Sequence, residues 1–338
     1  MSATMSPPVG VDVLLTERCF TSTVATTLDV LATANTLARA LGAPNDLFEP
    51  RVLSVDGNAV RSTSGIVFPV EGAAREGRGS VVVVCGPGMA DVRQITEYVS
   101  NTANRELLDV VVVARGRGAL ISASCSSTFM LAEAGILDGL RATTSWWLGP
   151  AFRARYPAVT LVEDEMLIDV GTVLTAGAAL AHTDLMIHVL RRHAGPSLAE
   201  ACARYLTVDD TRRSQNNFRI VEHLALVDSE VAMAERKIRE NPAKPPSLAA
   251  LARLSGLTPR TLSRRFVAAT GMSPKRFLRR VRLELAAHLL RSSNDPIDAV
   301  AARVGYDDER AFRRAFTREL GSSPSRYRKT PTSPPNES

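Results

Sequence analysis

Long hydrophobic runs are missing from this 338-residue chain. Apolar stretches such as Val81–Cys85 fall far short of the ~20 residues that a bilayer-spanning helix needs, which excludes a helical membrane span. The opening residues, Met1–Pro8, lack the basic start and apolar core of a secretory signal, so the expected location is the cytoplasm. Cysteine is scarce: Cys19, Cys85, Cys125 and Cys202 are scattered and form no C-x-x-C pair. Zinc-site spacing is therefore absent, and a disulfide framework does not suit a large cytoplasmic chain. Neither a metal nor a cofactor is expected, and no membrane partner.

The whole chain carries only a modest net charge, +6, but the charge is unevenly divided. Residues 236–338 hold 22 Lys/Arg against 9 Asp/Glu, a net +13, which leaves −7 for the residues before them. A structured, arginine-rich end beside a larger acidic part points to a polyanion partner for that end only. The length allows two or three domains, and 45% apolar with 22% charged residues is a globular composition.

Residues 10–176 alternate short β-branched runs with helical patterns. Val11–Leu15, Arg51–Val55, Val81–Cys85 and Leu120–Ala123 read as strands buried on both faces, followed by Glu165–Asp169 and Thr172–Ala176. Ala25–Leu41, Asn104–Arg115, Thr128–Ala134, Thr183–His193 and Ser197–Leu206 read as helices. Such alternation predicts a parallel sheet covered by helices on both faces. Thr207–Asn217 is polar and reads as a loop or the start of a linker. A helix is expected over Val227–Arg239, and the Pro- and Ser-rich 330–338 reads as a disordered tail.

The basic end repeats one design. Ser247 can cap a helix carrying Leu248, Leu251 and Ala252; Gly256 supplies a left-handed corner; Thr258 and Pro259 open a second helix. Leu262 and Phe266 face inward there, leaving Arg260, Thr261, Ser263 and Arg264 outward. About fifty residues later Ile297, Val300, Ala301 and Val304 form the first helix, Gly305 the corner, and Asp307 or Asp308 the cap. Phe312 and Phe316 are then the inward pair, and Arg310, Arg313 and Arg314 lie outside. Between the copies Ser273-Pro274 opens a helix to about Arg291, with Phe277, Val281, Leu285 and Leu289 as its buried stripe. At 1.5 Å per residue it is a rod of roughly 26 Å, a sensible spacer for two recognition helices in major-groove segments about 34 Å apart.

Residues 247–328 resemble the AraC/XylS regulators through "LARLSGLTPRTLSRRF" (251–266), "GMSPKRFL" (271–278) and "VAARVGYDDERAFRRAFTRELGSSPSRYR" (300–328). That resemblance implies sequence-specific binding of double-stranded DNA, one recognition helix per unit.

Leu120–Ala123 leads through Ser124 and Cys125 into a helix, the strand–turn–helix elbow that exposes a nucleophile. With "FMLAEAGILDGLRATTSWW" (129–147), residues 10–195 resemble the ThiJ/PfpI family, related to class I glutamine amidotransferases. Fold and organisation follow from the resemblance. It implies an α/β flavodoxin-like parallel-sheet sandwich over 10–195 for sensing and dimerisation, then a helix and linker over 196–228. An all-α DNA-binding domain with two helix-turn-helix units follows over 229–329. The two parts together resemble GlxA-type AraC regulators.

Departures from the enzyme pattern point away from catalysis. Cys125 occupies the family's nucleophile position, but Ser127 stands where a glycine is usual, and Ser145 stands where catalytic members have a histidine. A hydroxyl cannot take the thiol proton as an imidazole would. His182, His188 and His193 lie on a helix and need not approach the elbow. Gly86 and Gly88 resemble the loop whose amides face it. The expected ligand pocket is Gly86, Gly88, Cys125, Ser126, Ser145 and Trp146, with no catalytic residue. The expected partners are double-stranded DNA, a small-molecule effector, a second copy of the chain, and RNA polymerase if the protein activates. Two alternatives remain open at this point: a constitutive DNA-binding regulator whose α/β domain only dimerises, and a cysteine hydrolase with a DNA-binding tail.

Overall fold

The computed structural model describes residues 7–89, 91–101, 104–208, 215 and 228–329. The expected tail over 330–338, and most of the expected linker beyond Val208, lie outside the described residues. The chain divides into two compact units, one ending at Phe218 and one beginning at Arg219.

In the first unit the β-branched runs become strands because both of their faces are covered. β1 (Val9–Leu15), β2 (Phe48–Ser54), β3 (Gly72–Ala73), β4 (Val81–Cys85), β5 (Leu120–Ser124), β6 (Leu167–Asp169) and β7 (Val173–Ala176) form one sheet in the order β6-β7-β5-β4-β1-β2-β3. Every neighbouring pair is parallel except β6 with β7. The helices are α1 (Thr21–Ala40), α2 (Val92–Ser100), α3 (Arg105–Gly116), α4 (Ser127–Glu133), α5 (Gly149–Arg155), α6 (His182–Ala194) and α7 (Pro196–Tyr205). Side chains alternate across the sheet. Val11, Val13 and Leu15 pack with α1, α6 and α7, while Leu14, Val82, Val84 and Ile121 pack with α2, α3, α4 and α5.

This is the expected α/β parallel-sheet sandwich, with boundaries that differ for physical reasons. β2 starts at Phe48, ahead of the expected Arg51, and includes Pro50. The edge strand β3 pairs only with Leu53 and Ser54, so that side of the ladder needs no N–H from Pro50. Two helices, α2 and α5, escape the sequence reading because they are short and bury few side chains, Ile95 and Val99 in α2 and Phe152 in α5. The strand order reverses direction between β1 and β4, where Thr16 N–H donates to Cys85 O (3.1 Å). Crevices at the carboxyl edge beside such a switch point are where open α/β sheets bind ligands.

The second unit is helical: α8 (Ser229–Glu240), α9 (Leu248–Leu254), α10 (Pro259–Thr270), α11 (Pro274–Ser292), α12 (Ile297–Arg303), α13 (Glu309–Leu320) and α14 (Pro324–Lys329). The caps are those expected from sequence. Ser247, Thr258 and Ser273 accept from Ala250, Thr261 and Arg276 N–H, and Asp308 rather than Asp307 caps α13 through Arg310 and Ala311 N–H. Each helix-turn-helix unit has its own core. Leu251, Leu262 and Phe266 pack with Phe277 and Val281 from the first half of α11; Val300, Val304, Phe312 and Phe316 pack with Leu283, Ala286 and Leu290 from its second half. The connecting helix is therefore a wall of both cores, which fixes it as a rod.

Candidate functional site

The two outer helices present matching chemistry. α10 and α13 are both twelve residues long, and both end on a left-handed glycine, Gly271 and Gly321. Gly256 (φ +64°) and Gly305 (φ +90°) turn the corners before them. Arg260 and Arg310 are exposed at the second position of each helix, and Arg264 and Arg314 are exposed one turn later. Thr261 and Ser263 are half-buried, and Thr261 Oγ1 shares a 2.9 Å hydrogen bond with Thr258 Oγ1. Arg313 differs from the other arginines: Glu309 holds its Nε at 2.6 Å within α13. Arg265, beside them in sequence, binds Asp228 (2.7 Å) and Glu230 (2.8 Å), so it fastens α8 to α10.

At the other candidate site β5 ends at Ser124 and Cys125 takes φ +58°, a backbone that a non-glycine residue adopts only under constraint. Hydrogen bonds on both sides of the residue supply the constraint. Cys125 N–H donates to Ala176 O (3.1 Å) and Gly177 O (2.7 Å), and Thr144 Oγ1 donates to Cys125 O (2.6 Å). Ser145 Oγ donates to the Cys125 sulfur at 3.0 Å, so the serine stands where a base would act. Cys125 is partly exposed, yet the protein packed about its sulfur pushes the thiol pKa up. The Ser145 hydroxyl and the amide of Ser126 oppose that rise without cancelling it. A protonated thiol with no base beside it is a poor nucleophile at neutral pH.

The glycine loop is committed elsewhere. Gly86 N–H donates to Ser127 Oγ (2.8 Å), and Gly88 N–H donates to Arg18 O (2.9 Å). Ser127, which departs from the family's glycine, thus occupies an amide that could otherwise meet an oxyanion. Ser126 Oγ donates to Pro87 O, so two hydroxyls tie the start of α4 to this loop. Trp146 is 7% exposed and meets the Trp147 ring edge-on at 5.4 Å.

His182 lies closer to the elbow than expected. Its Nδ1 is 3.0 Å from Ser124 Oγ and its Nε2 is 2.8 Å from Thr27 Oγ1, joining β5, α1 and α6. Burial lowers its pKa to about 4, so the ring is neutral and both nitrogens are engaged. Sequence reasoning also missed Gln215, which is buried against Thr143 and Thr144. A single glutamine in a polar run carries no periodicity by which to find it.

Known proteins resemble this chain. The helix-turn-helix domain family matches residues 251–330. HTH-type transcriptional regulator CdhR of Pseudomonas aeruginosa is 27% identical over 290 residues, covering 84% of this chain and 82% of that protein. HTH-type transcriptional regulator GlxA of Rhizobium meliloti is 26% identical over 309 residues, 90% of this chain and 91% of that protein. A crystal structure of an AraC family transcriptional regulator from Pseudomonas putida superposes on 59% of this chain and 100% of that chain, with TM-score 0.49 and 24% identity. The chain is a DNA-binding helix-turn-helix transcription regulator. It is similar to the GlxA regulator over both units, with a helix-turn-helix domain behind a mostly parallel α/β domain. No described helix is long and apolar enough to cross a membrane.

Proposed function

We propose that the two helix-turn-helix units read successive major-groove segments of one operator, and that a small-molecule effector bound at the Cys125 elbow controls them. The observation that carries the first part is the repeat of exposed Arg260/Arg264 as Arg310/Arg314, fifty positions on, at the amino-terminal ends of α10 and α13. Amino-terminal residues of a recognition helix are those that reach base edges. Thr261, Ser263 and Arg313 complete the two faces, with Arg313 steered by Glu309.

The effector reading draws on the elbow itself. Its strained backbone is kept, its base is a serine, and Gly86 and Gly88 are bonded internally, a combination that suits binding without turnover. Gly86, Gly88, Cys125, Ser126, Ser145 and Trp146 are its proposed lining. The protein acts as a homodimer, because a regulator with this architecture matches the symmetry of its operators. RNA polymerase is a partner if it activates. The domain limits that go with this reading are 10–195 for the sensor, 196–228 for the connection and 229–329 for DNA binding.

Selection of random duplexes by the full protein at physiological salt tests the proposal. Enrichment of one motif with two blocks a helical turn apart supports it. Binding to all sequences alike, weakened by salt, overturns specific recognition. A Cys125-dependent amide or ester hydrolysis would overturn the reading of the elbow as a binding site.

A further inference from the structure

Two hollows in the helical unit run into one another. One, of about 470 Å³, is walled mainly by the apolar Ile238, Pro245, Pro246, Leu248, Leu251 and Leu278. The other, of about 330 Å³, is lined by Lys275, Arg276, Arg279, Arg282 and Tyr306. Ser273, Lys275 and Leu278 belong to both, and no described acidic residue lines either. The result is one cleft, apolar at one end and cationic at the other.

Lys275, Leu278, Arg279 and Arg282 are three and four positions apart, so they share one face of α11. Arg282 is held still: its Nε donates to Pro242 O (2.8 Å) and its Nη2 to Ala243 O (3.0 Å), with the guanidinium 5.8 Å from the Tyr306 ring centre. Carbonyls take its hydrogens without cancelling its charge. Other cations of the unit are matched, Arg239 with Glu235, Arg265 with Asp228, Arg280 with Glu284 and Arg303 with Asp295. Among the described residues no carboxylate matches Lys275, Arg279 or Arg282. Like charges one turn apart on a helix repel, so an anion set against Lys275 and Arg279 relieves that repulsion as well as pairing with them. A DNA phosphate would answer the cations and leave the apolar end empty, and a purely apolar molecule would do the reverse. A molecule with both parts answers the whole cleft.

We propose that this cleft binds a small amphiphilic anion, its apolar part against Leu248, Leu251 and Leu278 and its carboxylate or phosphate head against Lys275 and Arg279. Either head makes charge-assisted hydrogen bonds with these two side chains. Every lining residue belongs to the helical unit, so the proposal does not depend on the reading of the Cys125 elbow. Ser263 also lines the apolar end, and it lies on α10 beside Arg264. A bound anion thus touches a helix assigned to the groove and subtracts charge from the unit that meets DNA. Both effects weaken DNA binding.

Calorimetric titration of the full-length protein tests the cleft, with sodium decanoate and decyl phosphate below their micelle concentrations and with 1-decanol and decyltrimethylammonium beside them. Saturable binding of an anionic probe, at least about tenfold tighter than the neutral and cationic ones, is expected. The tighter of decanoate and decyl phosphate identifies the head. Lys275→Ala with Arg279→Ala should abolish the preference for an anion and leave decanol binding as it was. Leu248→Asn should weaken every probe. Leu248 and Lys275 are exposed and Arg279 is half-buried, so these variants spare the core. Equal affinities for anionic and neutral probes, or an anion affinity unchanged in whichever variants fold, would overturn the site. On the selected duplex, saturating decanoate should lower operator affinity at least about threefold, and less in the double variant. An operator affinity that ignores saturating decanoate would overturn the link to α10. If no probe binds while the double variant loses operator affinity by itself, Lys275 and Arg279 serve backbone phosphates and the proposal falls.

Discussion

His182 shows how a single side chain couples the elbow to acidity. Its folded-state pKa of about 4 lies below the ordinary 6.5, so between those values the unfolded chain binds the extra proton. Stability from this residue is therefore full above about pH 6.5, falls as pH drops through that value, and reaches its floor below about 4. Between pH 7 and pH 5 the loss is about 2 kcal/mol. Urea unfolding at the two pH values checks it: His182→Asn should be less stable at pH 7 but lose less on acidification. Equal pH slopes for the two proteins would mean that the ring is not held neutral. The thiol makes a second residue-scale case. With its pKa raised, Cys125 should react with iodoacetamide at pH 7 more slowly than free cysteine, and Ser145→Ala should slow it further by removing a bond that favours the thiolate. Mass spectrometry of the labelled peptide measures both rates, and a faster reaction in Ser145→Ala would reverse the assigned role. Cys125 was legible because a strand–turn–helix pattern marks it, and Ser145 because the resemblance over 129–147 sets a histidine at its position. His182 and Gln215 were not, because a buried polar group is defined by partners distant in sequence. Thr27 lies 155 positions from His182, and Thr144 lies 71 from Gln215.

Among the elements, the two helix-turn-helix corners look alike in sequence and differ in cost. Gly256 has open space around its missing Cβ, whereas a Cβ on Gly305 would come within 2.7 Å of Ala243 O and Arg282 Nη2. Both backbones are left-handed, so Gly256→Ala should cost about 1–2 kcal/mol from conformation alone. Gly305→Ala adds the overlap and should cost clearly more, about 3 kcal/mol or beyond. Thermal melts of the two variants decide the order, and equal losses would remove the packing argument. Caps, corners and inward pairs are local, which is why both units were readable with Asp308 the one choice to settle. The sheet was less so. β3 is two residues long, and β2 runs through Pro50, a placement permitted only by how little of β2 the next strand covers. Periodicity carries no information about a neighbour's length.

Over the whole molecule the division of charge becomes a prediction about DNA. Arg260, Arg264, Arg310 and Arg314 are exposed, and the residues from 236 onward carry +13 against −7 before them. Replacing one of these arginines by alanine should cost about 1–3 kcal/mol and relax preference at one position if it reads a base; if it meets a phosphate, all sites weaken alike and the salt slope falls by about 1. Arg313→Ala should cost less than Arg314→Ala, because Glu309 already neutralises it. The acidic α/β part is tethered near the same polyanion, and its repulsion acts within a Debye length of about 8–10 Å at physiological salt. Residues 229–329 alone should therefore bind non-specific duplex about 3- to 10-fold more tightly than the full chain, per DNA-binding unit, at roughly 50 mM salt. That advantage should shrink as salt rises towards about 200 mM. On the selected operator the proposed homodimer predicts the reverse order, since two linked DNA-binding units would engage two half-sites at once. If fragment and full chain bind both duplexes equally at every salt concentration, the acidic domain neither repels DNA nor pairs the DNA-binding units.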